Sequence, residues 1–187
     1  MYKISNDRRF IKNKKIIRRA FIDLVIEKGY NQLTITEIAE KADINRMTFY
    51  SHYDSIEDIF HEFIDDMEAD IYELIQKEED FSIDILFEIL NQVMYEEIDF
   101  YRYVAKDNDL AILRKKLKDT INQLIRVDLK QGINESESTR IIMGDLTAVC
   151  IAYSYFDWLA GEYGDVPLSE VTKITKNMLS TQLELTI

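Results

Sequence analysis

Apolar residues recur at helical spacing along most of this 187-residue chain, and the first clear case lies near its start. Between 10 and 28, Ile16, Ile17, Ala20, Phe21, Leu24 and Val25 return every three or four positions, with Lys12, Lys14, Lys15, Arg18 and Arg19 nearby, and Gly29 then ends the helix. The next segment opens with "TITE". Thr34 can cap it through its side-chain oxygen and Glu37 can reach back, a capping box ahead of Ile38, Ala39 and Ala42. This second helix is expected to last about two turns.

Asp43 and Ile44 make a break, and Asn45 is a good N-cap for a third helix expected to run through Tyr53. Counted from that cap, Ile44 and Phe49 occupy the positions of a hydrophobic staple. A fourth, long helix opens at "SIED", where Ser55 and Asp58 suggest another cap, and continues through Ile59, Phe60, Phe63, Ile64, Met67, Ile71 and Leu74. Further helices are expected at 82–101, 110–130, 135–159 and 167–183, punctuated by Gly132, "GEYG" and Pro167. There is no internal repeat, low-complexity tract or flexible linker. The pattern predicts an all-α fold of eight to nine helices, with a three-helix unit at 1–56 leaning on a helical body at 57–187 through the fourth helix.

Composition supports this: 47% hydrophobic residues supply a core, while one proline and five glycines leave few turns for a sandwich or barrel. Cys150, alone within "LTAVCIAYSYF", can form neither an intrachain disulfide nor a thiolate metal site, and is expected to be a buried, inert thiol. The basic start lacks an apolar signal core and no run approaches the roughly 18 apolar residues of a membrane span. A cytoplasmic protein without a membrane partner is the expectation.

Charge changes the picture more. The net charge of −12 argues against nucleic acid as a partner, but residues 1–56 hold eleven Lys/Arg against seven Asp/Glu, whereas 57–187 hold twelve against twenty-eight. The chain is electrostatically split, with its net positive charge in the first unit.

Three short helices followed by a long one, with a short break between the second and third, is the layout of a helix-turn-helix module whose third helix reads DNA. With Phe49 and Tyr53 inward, a 100° step per residue places Met47, Tyr50 and Ser51 outward, Thr48 and His52 at the flanks, and Arg46 in the first turn. Arg46 can fork onto guanine and Met47 can touch a thymine methyl, while Thr48, Tyr50 and His52 can bond phosphate oxygens. The plainer alternative is that Tyr50, His52 and Tyr53 simply cover the base of the fourth helix.

The stretch "LTITEIAEKADINRMTFYSHYDSIEDIF" resembles the DNA-binding signature of the TetR/AcrR family of bacterial transcriptional regulators, approximately T-x-x-x-I-A-x-x-A-G-V-S-x-G-T-L/F-Y-x-H/Y-F-x-S/N-K-E-x-L. Within that family, "KKIIRRAFIDLVIEKG" and "WLAGEYG" are similar to a subgroup resembling dihydroxyacetone kinase regulators. The resemblance implies a homodimer on a palindromic double-stranded DNA operator, paired through its last two helices, with an effector-responsive C-terminal domain, no cofactor, and repression as the expected mode. Carried over by position, Thr34, Asn45, Thr48, Tyr50 and His52 would hold phosphate, and Thr36, Arg46, Met47 and Ser51 would face bases. The sequence departs from the pattern at three places. Asp43 stands where glycine makes the turn, Met47 replaces glycine or proline, and Ile56 replaces a lysine that touches phosphate. Lys3, Arg8, Arg9, Lys12, Lys14 and Lys15 could compensate by tracking the backbone, or could be a solvated charged terminus.

In the body, Ile141, Ile142, Met143, Leu146, Ala148, Val149, Ile151, Ala152, Tyr155, Phe156 and Leu159 make an apolar arc wider than one packing face needs. Burial on two sides is expected, with Gly144, Ala148, Ala152 and Ser154 permitting close approach of a second copy; a wholly intramolecular core is the alternative. Tyr95, Phe100, Tyr101, Tyr103, Tyr153, Tyr155, Phe156 and Trp158 could line an effector cavity or be ordinary core. Enzyme motifs are missing: there is no glycine-rich phosphate loop, nucleophile elbow or HExxH, and the only histidines are His52 and His61. The spacing of those two does not put both rings on one helical face for a metal. A DNA-binding regulator is therefore the first expectation, and a protein-interaction module that retains the fold the second.

Overall fold

The computed structural model describes residues 8–79, 81–107, 111–132 and 136–184, and among these the secondary structure is nine α-helices and one 3-10 turn. The expected all-α class, an N-terminal helix-turn-helix followed by a helical domain, is what the chain forms. Two compact units, Met1–Asp65 and Asp66–Ile187, divide it within the fourth helix. No helix of the described residues is long and apolar enough to cross a membrane.

The first unit is built from α1 (Arg8–Lys28), a 3-10 turn at Tyr30–Gln32, α2 (Ile35–Lys41), α3 (Arg46–Tyr50) and the first half of α4 (Ile56–Ile75). The buried stripe of α1 comprises Ile17, Ala20, Phe21, Ile22, Leu24 and Val25. Gly29 turns the chain out of α1 at φ 93°, a value that glycine adopts without steric cost. Ile38 and Ala39 of α2, Phe49 of α3, and Ile59, Phe60, Phe63 and Ile64 of α4 complete the core. The first half of α4 belongs to this unit through contacts such as Phe60 against Tyr30 (ring centroids 5.6 Å apart) and Phe63 beneath Arg18 (4.8 Å).

The second unit contains the rest of α4, α5 (Ile83–Glu96), α6 (Ile98–Lys106), α7 (Ala111–Gly132), α8 (Glu137–Ala160) and α9 (Leu168–Glu184). α8 is its hub, packed against α6, α7 and α9. Tyr155 is fully buried there, with its hydroxyl 2.7 Å from Asn91 Oδ1 and 3.2 Å from the Phe87 carbonyl, and burial pushes its phenol pKa up.

The structure departs from the sequence pattern at several places. The helix expected at 82–101 is two helices, because Glu97 leaves helical geometry (φ −133°, ψ 47°) and restarts the chain as α6. The third helix ends at Tyr50, not Tyr53; the amides of His52 and Tyr53 both turn back to the Phe49 carbonyl. Cys150 is half-buried, not fully so, and partial burial raises its thiol pKa. Gly144, Ala148, Ala152 and Ser154, expected to let a second copy approach, face this chain's own core. The outward stripe of α8 is instead Ile142 (59% exposed), Leu146 (63%) and Tyr153 (49%), with Ile174 (57%) and Met178 (46%) exposed on α9. Expected positions Lys3, Leu110 and Glu135 lie outside the described residues.

Candidate nucleic-acid interface

Two caps and one left-handed residue position α3. Thr34 accepts the Glu37 amide (3.3 Å), and the Glu37 carboxylate accepts the Thr34 amide (3.1 Å) and hydroxyl (2.6 Å), so α2 opens with a complete capping box. Lys28 lies 2.5 Å from that carboxylate, and with the Thr34 hydroxyl it holds the Glu37 pKa below the ordinary carboxylate range. Ala42 caps the C-terminus of α2, and Asp43 takes the turn at φ 52°, the left-handed conformation that aspartate tolerates. Asn45 Oδ1 then accepts the Thr48 amide at 2.8 Å, which starts α3. Because this bond fixes the Asn45 oxygen toward the helix, the two donors of its NH₂ face outward. Asn45→Ala removes the cap and is expected to lower stability by about 1 kcal/mol, measured as a shift in the urea midpoint with the slope unchanged.

Phe49 is fully buried and Tyr53 nearly so, and with them anchored the rest of α3 turns outward. Met47 is 83% exposed and Tyr50 45%, with Arg46 and Ser51 also exposed and Thr48 and His52 half-buried. The Arg46 guanidinium lies 6.0 Å from the Tyr50 ring centroid and 3.4 Å from its hydroxyl, so the two side chains share one face. In that contact the Tyr50 hydroxyl is the acceptor, so its O–H is left to donate elsewhere.

The other hydroxyls are engaged. Thr48 donates to Asn45 Oδ1 (3.1 Å), Ser51 to the Thr48 carbonyl (2.6 Å) and Thr34 to Glu37. A phosphate meeting Thr34 or Thr48 therefore requires a hydroxyl rotation, whereas Asn45 and Tyr50 present donors already. Thr36 is exposed on the first turn of α2.

His52 packs against Phe10, with ring centroids 4.1 Å apart and planes tilted by 38°, a contact that the sequence pattern did not suggest. Its ring, with Tyr50, Ser51, Tyr53, Asp54, Asp58 and Glu62, lines a cleft of about 420 Å³. Burial pushes the His52 pKa below its ordinary value, Lys14 adds to the shift and Glu62 opposes it. The shift favours the neutral imidazole, so a phosphate contact made by His52 would be a neutral hydrogen bond. The depressed folded-state pKa links stability to pH. Unfolding takes up a proton, so stability is intact above the ordinary histidine value of about 6.5 and is lost as pH falls through the folded value. Thermal melts from pH 7.5 to 5.5 should show a decline for the native chain that is shallower in His52→Gln.

At the start of α4, Asp58 Oδ2 accepts the amides of Asp54 (3.0 Å) and Ser55 (2.8 Å), and the Ser55 hydroxyl accepts the Asp58 amide (3.1 Å). This end of α4 therefore meets solvent with the half-buried Ile56 and the carboxylates of Glu57 and Asp58. On α1, Lys14 is bound to Glu62 (2.6 Å), which withdraws it from the set of compensating cations; Arg8, Arg9, Lys12 and Lys15 are exposed.

The aromatics of the body differ in burial. Phe100, Tyr155 and Phe156 are core. Tyr95 is exposed, with its ring 6.5 Å from that of Trp158, whose Nε1 donates to the Val166 carbonyl (2.8 Å), and Tyr103 donates to Asp107 (3.0 Å). Among the described residues no group of three or more His, Cys, Asp and Glu is placed to hold a metal.

Residues 17–63 match the family described as "Bacterial regulatory proteins, tetR family". The chain is 31% identical over 100 residues to the dhaKLM operon transcriptional activator DhaS of Lactococcus lactis, covering 50% of this chain and 52% of DhaS. It is 32% identical over 124 residues to the negative transcriptional regulator IcaR of the Staphylococcus aureus biofilm operon icaADBC, covering 65% and 64%. These matches span less than two thirds of the length of either relative. In three dimensions the fold is similar to that of the dihydroxyacetone kinase operon activator DhaS, with a TM-score of 0.71 at 20% identity over 94% of this chain and 98% of that one.

Proposed function

Because this chain belongs to the TetR/AcrR family of bacterial transcriptional regulators, we propose that it is a cytoplasmic, non-enzymatic regulator that binds a palindromic double-stranded DNA operator as a homodimer. One observation carries the reading: α3 is pinned by Phe49 and the Asn45 cap while Arg46, Met47 and Tyr50 stand exposed on its other side. Arg46 would fork onto guanine O6 and N7 and Met47 would pack on a thymine methyl, with Ser51 and Thr36 beside them. Asn45 and Tyr50, supported by Thr34, Thr48 and His52, would fix the register on phosphates.

The second copy would pair through the exposed apolar stripe of Ile142, Leu146, Ile174 and Met178 on α8 and α9. α4 begins in the first unit and ends in the second. A small-molecule or protein effector bound to the body would act by tilting it, changing the separation of the two reading heads and breaking their simultaneous fit to two half-sites. Repression is the expected outcome of operator occupancy.

Footprinting on the DNA flanking its own gene tests this reading: a protected palindrome is expected, and no protection of any duplex at low salt contradicts it. The carboxylates at the start of α4 favour one alternative, a protein-interaction module with little DNA affinity. That alternative requires absent duplex binding together with stable capture of a protein partner.

A further inference from the structure

Of the four cations in the first turns of α7, three, Arg114, Lys115 and Lys118, stand beside the exposed Ile112. Together with Ala111 and the exposed Tyr153 of α8 they line an open cleft of about 570 Å³. That volume falls within the range of small-molecule sites. The clustering stands out in a body where, beyond residue 56, twelve Lys/Arg face twenty-eight Asp/Glu.

Two of the cations have carboxylate partners at the rim. Lys115 Nζ is 2.7 Å from Asp119, and Lys118 Nζ is 3.1 Å from Asp119 and 3.4 Å from Asp145. Arg114 differs: its guanidinium rests 5.7 Å from the ring centroid of the buried Phe156, and no carboxylate pairs with it among the described residues. A guanidinium held over an aromatic ring keeps its planar fork of donors, which matches a carboxylate or a phosphate.

We infer that this cleft binds a small amphipathic anion, with its carboxylate or phosphate on Arg114, supported by Lys115 and Lys118, and its apolar body against Ile112 and Tyr153. Its role as an effector site rests on the regulator reading above. The opposite face of α7 shows how such a site would report: Lys116 is 2.5 Å from Glu68, the Thr120 hydroxyl donates to Glu68 (3.1 Å) and Tyr72 donates to Gln123 (2.7 Å). Glu68 and Tyr72 lie on α4. An anion that draws Lys115 and Lys118 from Asp119 and Asp145 shifts the helix whose other side holds α4.

Calorimetric titration of the full chain, without DNA, with octanoate, octyl phosphate and octanol tests the site. Saturable binding of at least one anion is expected, with octanol at least about tenfold weaker. The tighter anion identifies the head group. Arg114→Gln should lose about tenfold in anion affinity while octanol affinity and the melting temperature stay unchanged. No saturable binding by about 1 mM, as when a second copy covers the cleft, overturns the inference, and so does equal affinity for octanol or an unaffected variant. In a separate titration, operator affinity should change with the bound anion in the native chain and not in Arg114→Gln; anion binding without such a change overturns the effector role. Failure to bind operator without any anion counts against the DNA reading instead, and leaves the calorimetric result standing.

Discussion

Leu146→Asp is expected to yield a folded, monomeric chain whose operator affinity is lower by about a hundredfold or more. Leu146 is 63% exposed at the centre of the α8 stripe, so a carboxylate there meets water in the isolated chain and costs little stability. In a dimer it would be buried against apolar partners with no cation to pair it, which is strongly unfavourable. Pairing makes the second half-site contact intramolecular, and the avidity it adds is on the order of 10² to 10⁴. Sedimentation velocity and fluorescence anisotropy on one operator duplex measure the two effects together. An unchanged oligomeric state would move the interface elsewhere. Leu159→Asp, buried on the other side of α8, should instead unfold the second unit, which separates loss of pairing from loss of fold.

Arg46→Ala should weaken operator binding by about ten- to a hundredfold, as the loss of roughly 1–3 kcal/mol at one bidentate base contact implies. The sharper readout is sequence. Native protein should discriminate strongly at one base pair of each half-site, and the variant should accept all four there at similar affinity. If Arg46 instead sits on phosphate, the loss would be uniform across sequences and the salt slope would fall by about 1. Stability should hardly move, because Arg46 is exposed and its Tyr50 contact is long at 3.4 Å.

The first unit was legible because its signals are local. Thr34 with Glu37, Asn45 with Thr48 and Ser55 with Asp58 are separated by three residues each, and a cap depends on little beyond that spacing. The exposure of Met47 and burial of Phe49 follow from one helical step of about 100° per residue. Elsewhere the pattern was ambiguous. Around α8, apolar residues face both inward and outward, so periodicity could not say whether Gly144 and Ala148 or Ile142 and Leu146 met the core. The break at Glu97 carries no glycine or proline, and "VMYEEIDFY" reads as continuous helix until tertiary packing bends it. The His52–Phe10 contact joins residues 42 positions apart and has no local signature. Likewise Asp58 was legible as a cap, but not as the acceptor of both the Asp54 and Ser55 amides.

Two copies are expected to grip one duplex through their α3 faces. Sedimentation velocity of the full chain with a short duplex carrying its footprinted palindrome tests this most directly. A single complex of two chains per duplex is expected, and it collapses when one half-site is scrambled. A complex of one chain per duplex, indifferent to the second half-site, would contradict this.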